Sequence, residues 1–173
     1  IIDLTVTPPR LLRPGGVTLE ELEDALGEVA VDEAVRRLMA PGEQPKAPGM
    51  KYRHYAPRGE LTIVEGAAGR VISFINGQLE LSGQSGKRTG VIATDETEES
   101  YRADSVKSVG KRADEARIAR RIFRILREFD DEGIEVIYAE SFENTGLGCA
   151  IMNRLLKAAG HRVIRLDEDR EDR

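Results

Sequence analysis

The 173-residue chain has one cysteine, no tryptophan and two histidines. A single cysteine cannot close an intrachain disulfide, which fits a reducing compartment. No cluster of cysteine and histidine offers a structural zinc site. Aromatic residues make up only 5% of the chain, so a core has to come from Leu, Ile, Val and Ala. No apolar run approaches the ~20 residues of a membrane-spanning helix, and no signal peptide is visible, so no membrane partner is expected. Positive charge is not in excess either. Lys and Arg number 26 against 31 Asp and Glu, for a net charge of −5. General nucleic-acid binders are usually basic, so stable direct binding to nucleic acid is not expected. The last absence divides the chain: all seven prolines lie at or before Pro57.

The length leaves room for one ordinary domain, or for one domain and an appendage. The chain opens Ile1-Ile2-Asp3-Leu4-Thr5, without methionine and directly on strand-forming residues, and is read as part of a longer protein. Ile1 to Thr7 is β-rich, and Pro8-Pro9 stops it. Arg10 to Arg13 reads as a short edge strand ended by Pro14-Gly15-Gly16. Thr18, with Glu21 three residues on, forms a capping box. It predicts a helix with Leu19, Leu22 and Leu26 on one face and Gly27 as its C-cap. Val29 to Met39 is ambiguous, although Val31 to Leu38 fits a short helix. A strand pair and one helix bury too little surface to stand alone.

Lys46 to Pro57 follows. Pro45, Pro48 and Pro57 fix φ and withhold backbone donors, so residues 41–59 read as an irregular linker. A mere spacer would be chemically bland. This one carries Lys51, Tyr52, Arg53, His54 and Tyr55. Cations suit phosphate or carboxylate, and rings suit stacking on a planar ligand. The alternative is a sticky tether packed on its neighbour.

After Pro57 the texture becomes alternation. Leu61–Val64, Thr89–Thr94, Val106–Val109, Ile134–Ala139 and Arg162–Leu166 read as strands. Arg70–Leu81, Asp114–Asp131 and Ala150–Ala159 read as helices, the second with Ala119, Ile122, Phe123, Leu126 and Phe129 on one face. Strands that alternate with helices imply a mostly parallel sheet with helices on both faces and right-handed crossovers, a Rossmann-like α/β domain.

Several residues carry two readings. Gly146-Leu147-Gly148 opens a helix after a strand, where α/β folds bind phosphate. The third glycine of the dinucleotide fingerprint is replaced by Ile151, so close packing of loop on helix is preferred. Asn153-Arg154 reads as a nucleotide contact, or as a solvated face or interdomain contact. Cys149 lies near a helix start without a partner histidine, as a small, partly buried residue does. His161 beside Gly160 reads as a helix-end cation. Arg117, Arg120, Arg121, Arg124 and Arg127 form a stripe that would suit tRNA, or a solvated face balanced by Glu115 and Glu128. Arg13 reads as a surface arginine, or as a guanidinium fork beside Gly-rich backbone suited to phosphate.

Pro48 to Pro57 resembles the interdomain linker of the two-domain L-threonylcarbamoyladenylate synthases, whose N-terminal domain is YrdC-like. Leu11-Leu12-Arg13-Pro14-Gly15 resembles the end of that domain. Arg102 to Gly110 and Gly146 to Ala159 resemble parts of the C-terminal one. The resemblance implies a remnant of the YrdC-like domain at 1–40, a linker at 41–59 and a C-terminal Rossmann-like domain at 60–173. It also implies a cytoplasmic nucleotidyltransferase that uses ATP with Mg²⁺, L-threonine and bicarbonate to make threonylcarbamoyl-AMP and pyrophosphate. The product would go to a downstream transferase complex that modifies tRNA adenosine. In that setting Arg13 contacts the ATP phosphates and steadies the leaving pyrophosphate, while Tyr52, Arg53, His54 and Tyr55 close over nucleotide and threonine. The family's main lysine, arginine and serine motifs have no counterpart here, so this chain alone is expected to be inactive. The reading from another class is a non-catalytic Rossmann-like module that binds a nucleotide or docks a partner.

If the linker is a lid, ATP and threonine in the intact enzyme protect Lys51 and Arg53 from trypsin. Limited proteolysis with mass spectrometry checks this, and cleavage that ligands leave unchanged makes the segment a tether.

Overall fold

Alternation along the strands sorts side chains onto two faces of a sheet. A computed structural model of the chain describes residues 1–35, 56–143 and 146–166. Tyr52, Arg53, His54 and Tyr55 lie outside these residues, as do the end of the expected Val31–Leu38 helix and the charged tail.

The main sheet has five strands: β4 (Glu60–Glu65), β5 (Thr89–Ala93), β6 (Ser105–Ser108), β7 (Val136–Glu140) and β8 (Val163–Arg165). Their order is β6-β5-β7-β4-β8, and every pairing is parallel. This is the α/β sheet that the alternation predicted. Because successive side chains point to opposite faces, each strand feeds two cores. Leu61, Ile63, Ile92, Ile137 and Ala139 face one core, and Val64, Val91, Ala93 and Tyr138 face the other. The first core is closed by α3 (Glu115–Asp131) and α4 (Gly146–Ala158), through Ile118, Ile122, Ile125, Leu126, Phe129, Ile151 and Leu155. The second is closed by α2 (Ala68–Gln84), through Val71, Ile75 and Leu79. Fully burying one such side chain contributes roughly 1.5–3 kcal/mol.

Some boundaries moved for local reasons. Ile134 does not begin a strand. Gly133 at φ +66 ends α3, and the Ile134 N–H donates to the Phe129 carbonyl at 2.9 Å. That is a Schellman stop, sealed by the apolar pair Phe129 and Ile134. The same device ends α4, with Gly160 at φ +59 and the His161 N–H on Leu156 O at 2.7 Å. Two arginines of the α3 stripe are balanced on the helix itself, Arg124 by Glu128 and Arg127 by Asp130, and Arg117 packs beside Gly110.

The N-terminal residues form a separate three-stranded sheet, β1 (Ile2–Asp3), β2 (Arg10–Leu11) and β3 (Ala30–Val31), in the order β1-β2-β3. Strand β2 is therefore central, not the edge strand expected, because Ala30–Val31 pairs with it in parallel. Residues 33–35 form a single 3-10 turn after β3. Strand β1 stops early because the Asp3 carboxylate accepts from the Thr5 N–H (2.9 Å) and hydroxyl (2.6 Å), a local bond that competes with the ladder. Helix α1 (Leu19–Leu26) has the expected capping box, with the Thr18 N–H donating to Glu21 Oε2 at 2.8 Å and the Glu21 N–H donating to Thr18 Oγ1 at 3.2 Å. It buries no residue, however. Ile1, Leu4, Val6, Val17 and Leu26 are all exposed.

Two glycines test this packing in opposite directions. A Cβ on Gly90 would sit 2.9 Å from both Phe129 and Ile134, whereas one on Gly77 in α2 would meet nothing within 4 Å. Gly90→Ala is expected to destabilise by about 1–3 kcal/mol, and Gly77→Ala to stabilise by about 0.8–1 kcal/mol. Urea unfolding of the two variants checks both signs.

Candidate functional site

Arg13 stands on the turn after β2, with its side chain exposed. The turn is held by its backbone. The Arg13 N–H donates to Ile1 O at 3.2 Å, and the Ile1 nitrogen donates to Arg13 O at 2.7 Å. The same part of the chain meets α4, where the buried Asn153 amide donates to Val35 O at 3.1 Å. Asn153 is therefore not part of a solvated face: its side chain is buried and bonds to the N-terminal segment. Arg154 turns the other way, donating to Ala119 O at 3.0 Å and stacking over Phe123 at 5.2 Å.

This junction brings positive groups together. Burial lowers the Lys157 pKa, and the Arg13 charge lowers it further. Burial also lowers the pKa of His161, with Lys157 adding to the effect. His161 is thus biased toward the neutral form rather than being a helix-end cation. Lys157 is the residue that sequence reasoning missed. No local spacing marked it, because α4 ends at Ala158 and the chain turns at Gly160 before His161. Cys149 is half-buried on α4, as expected. Gly148 is required because a Cβ there would collide with the Glu143 carbonyl, so loop-on-helix packing accounts for that glycine.

The second polar feature lies at the carboxyl ends of the strands and was not anticipated. Glu140 ends β7 and is only 3% exposed. The Tyr101 hydroxyl donates to its Oε1 at 2.7 Å, Thr97 donates to the same oxygen, and Arg112 Nη2 pairs with Oε2. Burial and the neighbouring carboxylate push the Tyr101 pKa far up, so the phenol stays a donor. Arg112 also donates from Nη1 to Ser141 O at 3.0 Å and stacks over Phe142 at 5.4 Å. All of these groups but Thr97 border a cavity of about 490 Å³, lined also by Val64, Glu65, Gly66, Ala68, Val71 and Glu143. Among the described residues, no three His, Cys, Asp or Glu side chains come together to hold a metal, and no helix is long and apolar enough to cross a membrane.

Residues 17–160 match the family model described as threonylcarbamoyl-AMP synthase, C-terminal domain. The chain is 46% identical over 166 residues to the threonylcarbamoyl-AMP synthase of Pyrococcus abyssi, covering 96% of this chain and 46% of that protein. It is 47% identical over 157 residues to the Bacillus subtilis enzyme of the same name, covering 91% and 43%. It therefore spans about half the length of the curated relatives it matches. The crystal structure of the P. abyssi protein complexed with L-threonine superposes with a TM-score of 0.85 at 45% identity, covering 96% of this chain and 46% of that one. An isolated C-terminal domain from Pyrococcus horikoshii superposes with a TM-score of 0.52 at 34% identity, over 64% of this chain and all of that one.

The His161 environment has a consequence for stability. Its folded pKa lies below the unfolded value of 6.5, so below pH 6.5 the unfolded chain binds the extra proton. Stability contributed by neutral His161 is complete above that pH and falls as pH drops through 6.5 toward the folded pKa. His161→Gln is expected to flatten this part of the stability profile, and an NMR titration of the two histidines should show His161 titrating below 6.5.

Proposed function

Because the chain belongs to the threonylcarbamoyl-AMP synthase family, as its C-terminal portion, we propose that it is part of an enzyme that makes threonylcarbamoyl-AMP and pyrophosphate from L-threonine, bicarbonate and ATP. Within that enzyme a carbamate oxygen on threonine attacks the α-phosphorus, and the bond to the bridging oxygen of pyrophosphate breaks. Negative charge then grows on the leaving group. A guanidinium fork positioned before the reaction stabilises that charge without reorganising, and Arg13 is the residue we assign to it. The observation that carries this assignment is where Arg13 stands: on a turn closed by two backbone hydrogen bonds to Ile1, within electrostatic reach of Lys157 from α4.

Tyr52, Arg53, His54 and Tyr55 fit the role of a cover over nucleotide and threonine, which would keep water from a labile mixed anhydride. Mg²⁺ would arrive with ATP, bound to its phosphates, as part of the substrate. The described residues show no carboxylate cluster suited to hold it, and no step here depends on a protein-bound metal. The product would pass to a tRNA-modifying transferase complex, with the work placed in the cytoplasm. The exposed Ile1, Leu4, Val6, Val17 and Leu26 suit a surface that packs against the rest of an N-terminal domain.

The test uses a full-length enzyme carrying this chain as its C-terminal portion. If Arg13 grips phosphate with its fork, Arg13→Ala and Arg13→Lys both lower kcat/KM by about 100-fold or more. Steady-state kinetics decide, and wild-type activity in the lysine variant would reduce Arg13 to a general positive charge. This chain alone is expected to release no pyrophosphate.

A further inference from the structure

The crevice between β4 and β7 is where the sheet changes its direction of winding. After β4 the chain crosses through α2 to β5, over one face. After β7 it crosses through α4 to β8, over the other face. Neighbouring strands therefore send their loops apart and leave an opening at their carboxyl ends, the place where open α/β sheets bind ligands. Four successive connections supply its lining or support: 65–68 after β4, Thr97 and Tyr101 after β5, Arg112 after β6, and 140–143 after β7.

We propose that this crevice is a second ligand site, which takes a molecule of mononucleotide size with a planar apolar body and one anionic group. It does not rest on the synthase reading, because none of its residues belongs to the Arg13 junction. Size comes first. A cavity of about 490 Å³ lies within the ~300–1,000 Å³ range of small-molecule sites and is generous for a bare phosphate. Its apolar side is Val64, Val71 and the Phe142 ring.

Its anion seat is the Arg112 guanidinium. The side chain is 46% exposed, yet it is fixed by Glu140, by Ser141 O and by stacking on Phe142. These two hydrogen bonds use two of its five N–H donors. A buried carboxylate thus aims an arginine at the opening, at no net cost in charge. The start of α2 adds to the seat: Ala67 occupies the N-cap and provides no side-chain cap, and Ala68 lines the cavity. The limit to one anionic group follows from the remaining charges. Arg112 is the one cation among the lining residues, while Glu143 borders the same space and opposes a polyphosphate; Glu65, also on the lining, is paired with Arg165 at 3.1 Å.

The 173-residue chain is titrated with AMP, UMP, adenosine and inorganic phosphate as separate probes, followed by calorimetry and NMR. At least one mononucleotide is expected to bind with a Kd below about 1 mM. Its nucleoside and phosphate alone should bind at least about tenfold more weakly. Ala68→Asp places a carboxylate in the first turn of α2, which favours the helix, so the fold is kept while the anion is repelled. This variant should weaken mononucleotide binding at least about tenfold, with an unchanged or raised melting temperature. Arg112→Lys, which loses the fork, should do the same to binding. Four outcomes overturn the proposal. The first is no mononucleotide binding at about 10 mM, and the second is equal affinity in Ala68→Asp. The third is a nucleoside or a phosphate that binds as tightly as the mononucleotide. The fourth is binding lost in Arg13→Ala but kept in Ala68→Asp, which would place the nucleotide at the other seat.

Discussion

A carboxylate shut into the end of a parallel sheet has to be neutralised where it stands. Leaving such a charge without partners would cost roughly 3–5 kcal/mol, a large share of a domain's net stability. Glu140 meets that demand with three side chains from two loops: Thr97 and Tyr101 from one, Arg112 from the next. The connections after β5 and β6 are thereby tied to the end of β7. Arg112 extends the tie, because its backbone N–H donates to both oxygens of Glu96, at 3.0 and 3.1 Å. Loops at the carboxyl edge of an α/β sheet are ordinarily the mobile part of the fold. Here a buried carboxylate, paired with a half-exposed arginine, ties them together.

That constraint explains why one face of the sheet is wetter than the other. The α3–α4 core is built almost wholly from aliphatic side chains and Phe129. The α2 core contains Tyr101 and Tyr138, and side-chain parity along β7 puts Glu140 on the same side as Tyr138. Tyr101 is the hinge between the two environments: its ring packs in the α2 core and its hydroxyl reaches the carboxylate. A phenylalanine there would keep the ring contact but leave Glu140 with one donor fewer.

The sheet and its helices were legible in the sequence because their signal is periodic and local. Period-two strands and the 3.6-period stripe on α3 are visible in any short window, and the Thr18–Glu21 box is a spacing of three. The ends of elements were less legible. Ile134 reads as a strand residue by type, yet a glycine in the left-handed region makes it the apolar seal of a helix stop. The Arg10–Leu11 strand reads as an edge because its partner Ala30–Val31 lies 20 residues away and spans only two residues. The crevice was hidden for a related reason. Arg112 and Glu140 are 28 residues apart, and neither belongs to a motif. A glutamate at the end of an apolar strand was the one hint, and it does not say which cation will meet it. Arg13 was found through its neighbours in sequence, Lys157 only through its neighbours in space.

The two cationic places differ in what they can hold, and the difference follows from how each charge is balanced. Arg112 sits against a buried carboxylate, so an incoming anion meets an oriented donor set rather than an excess of positive charge. Such a seat rewards geometry and a single charge. At the other place, burial disfavours the protonated form of Lys157, and the Arg13 charge disfavours it further. The two places therefore differ in kind: one is a cation balanced against a carboxylate, the other a half-buried lysine within reach of an arginine. That contrast is set by the fold, because Glu140 is fixed at the end of β7 while Lys157 is carried in the last turn of α4.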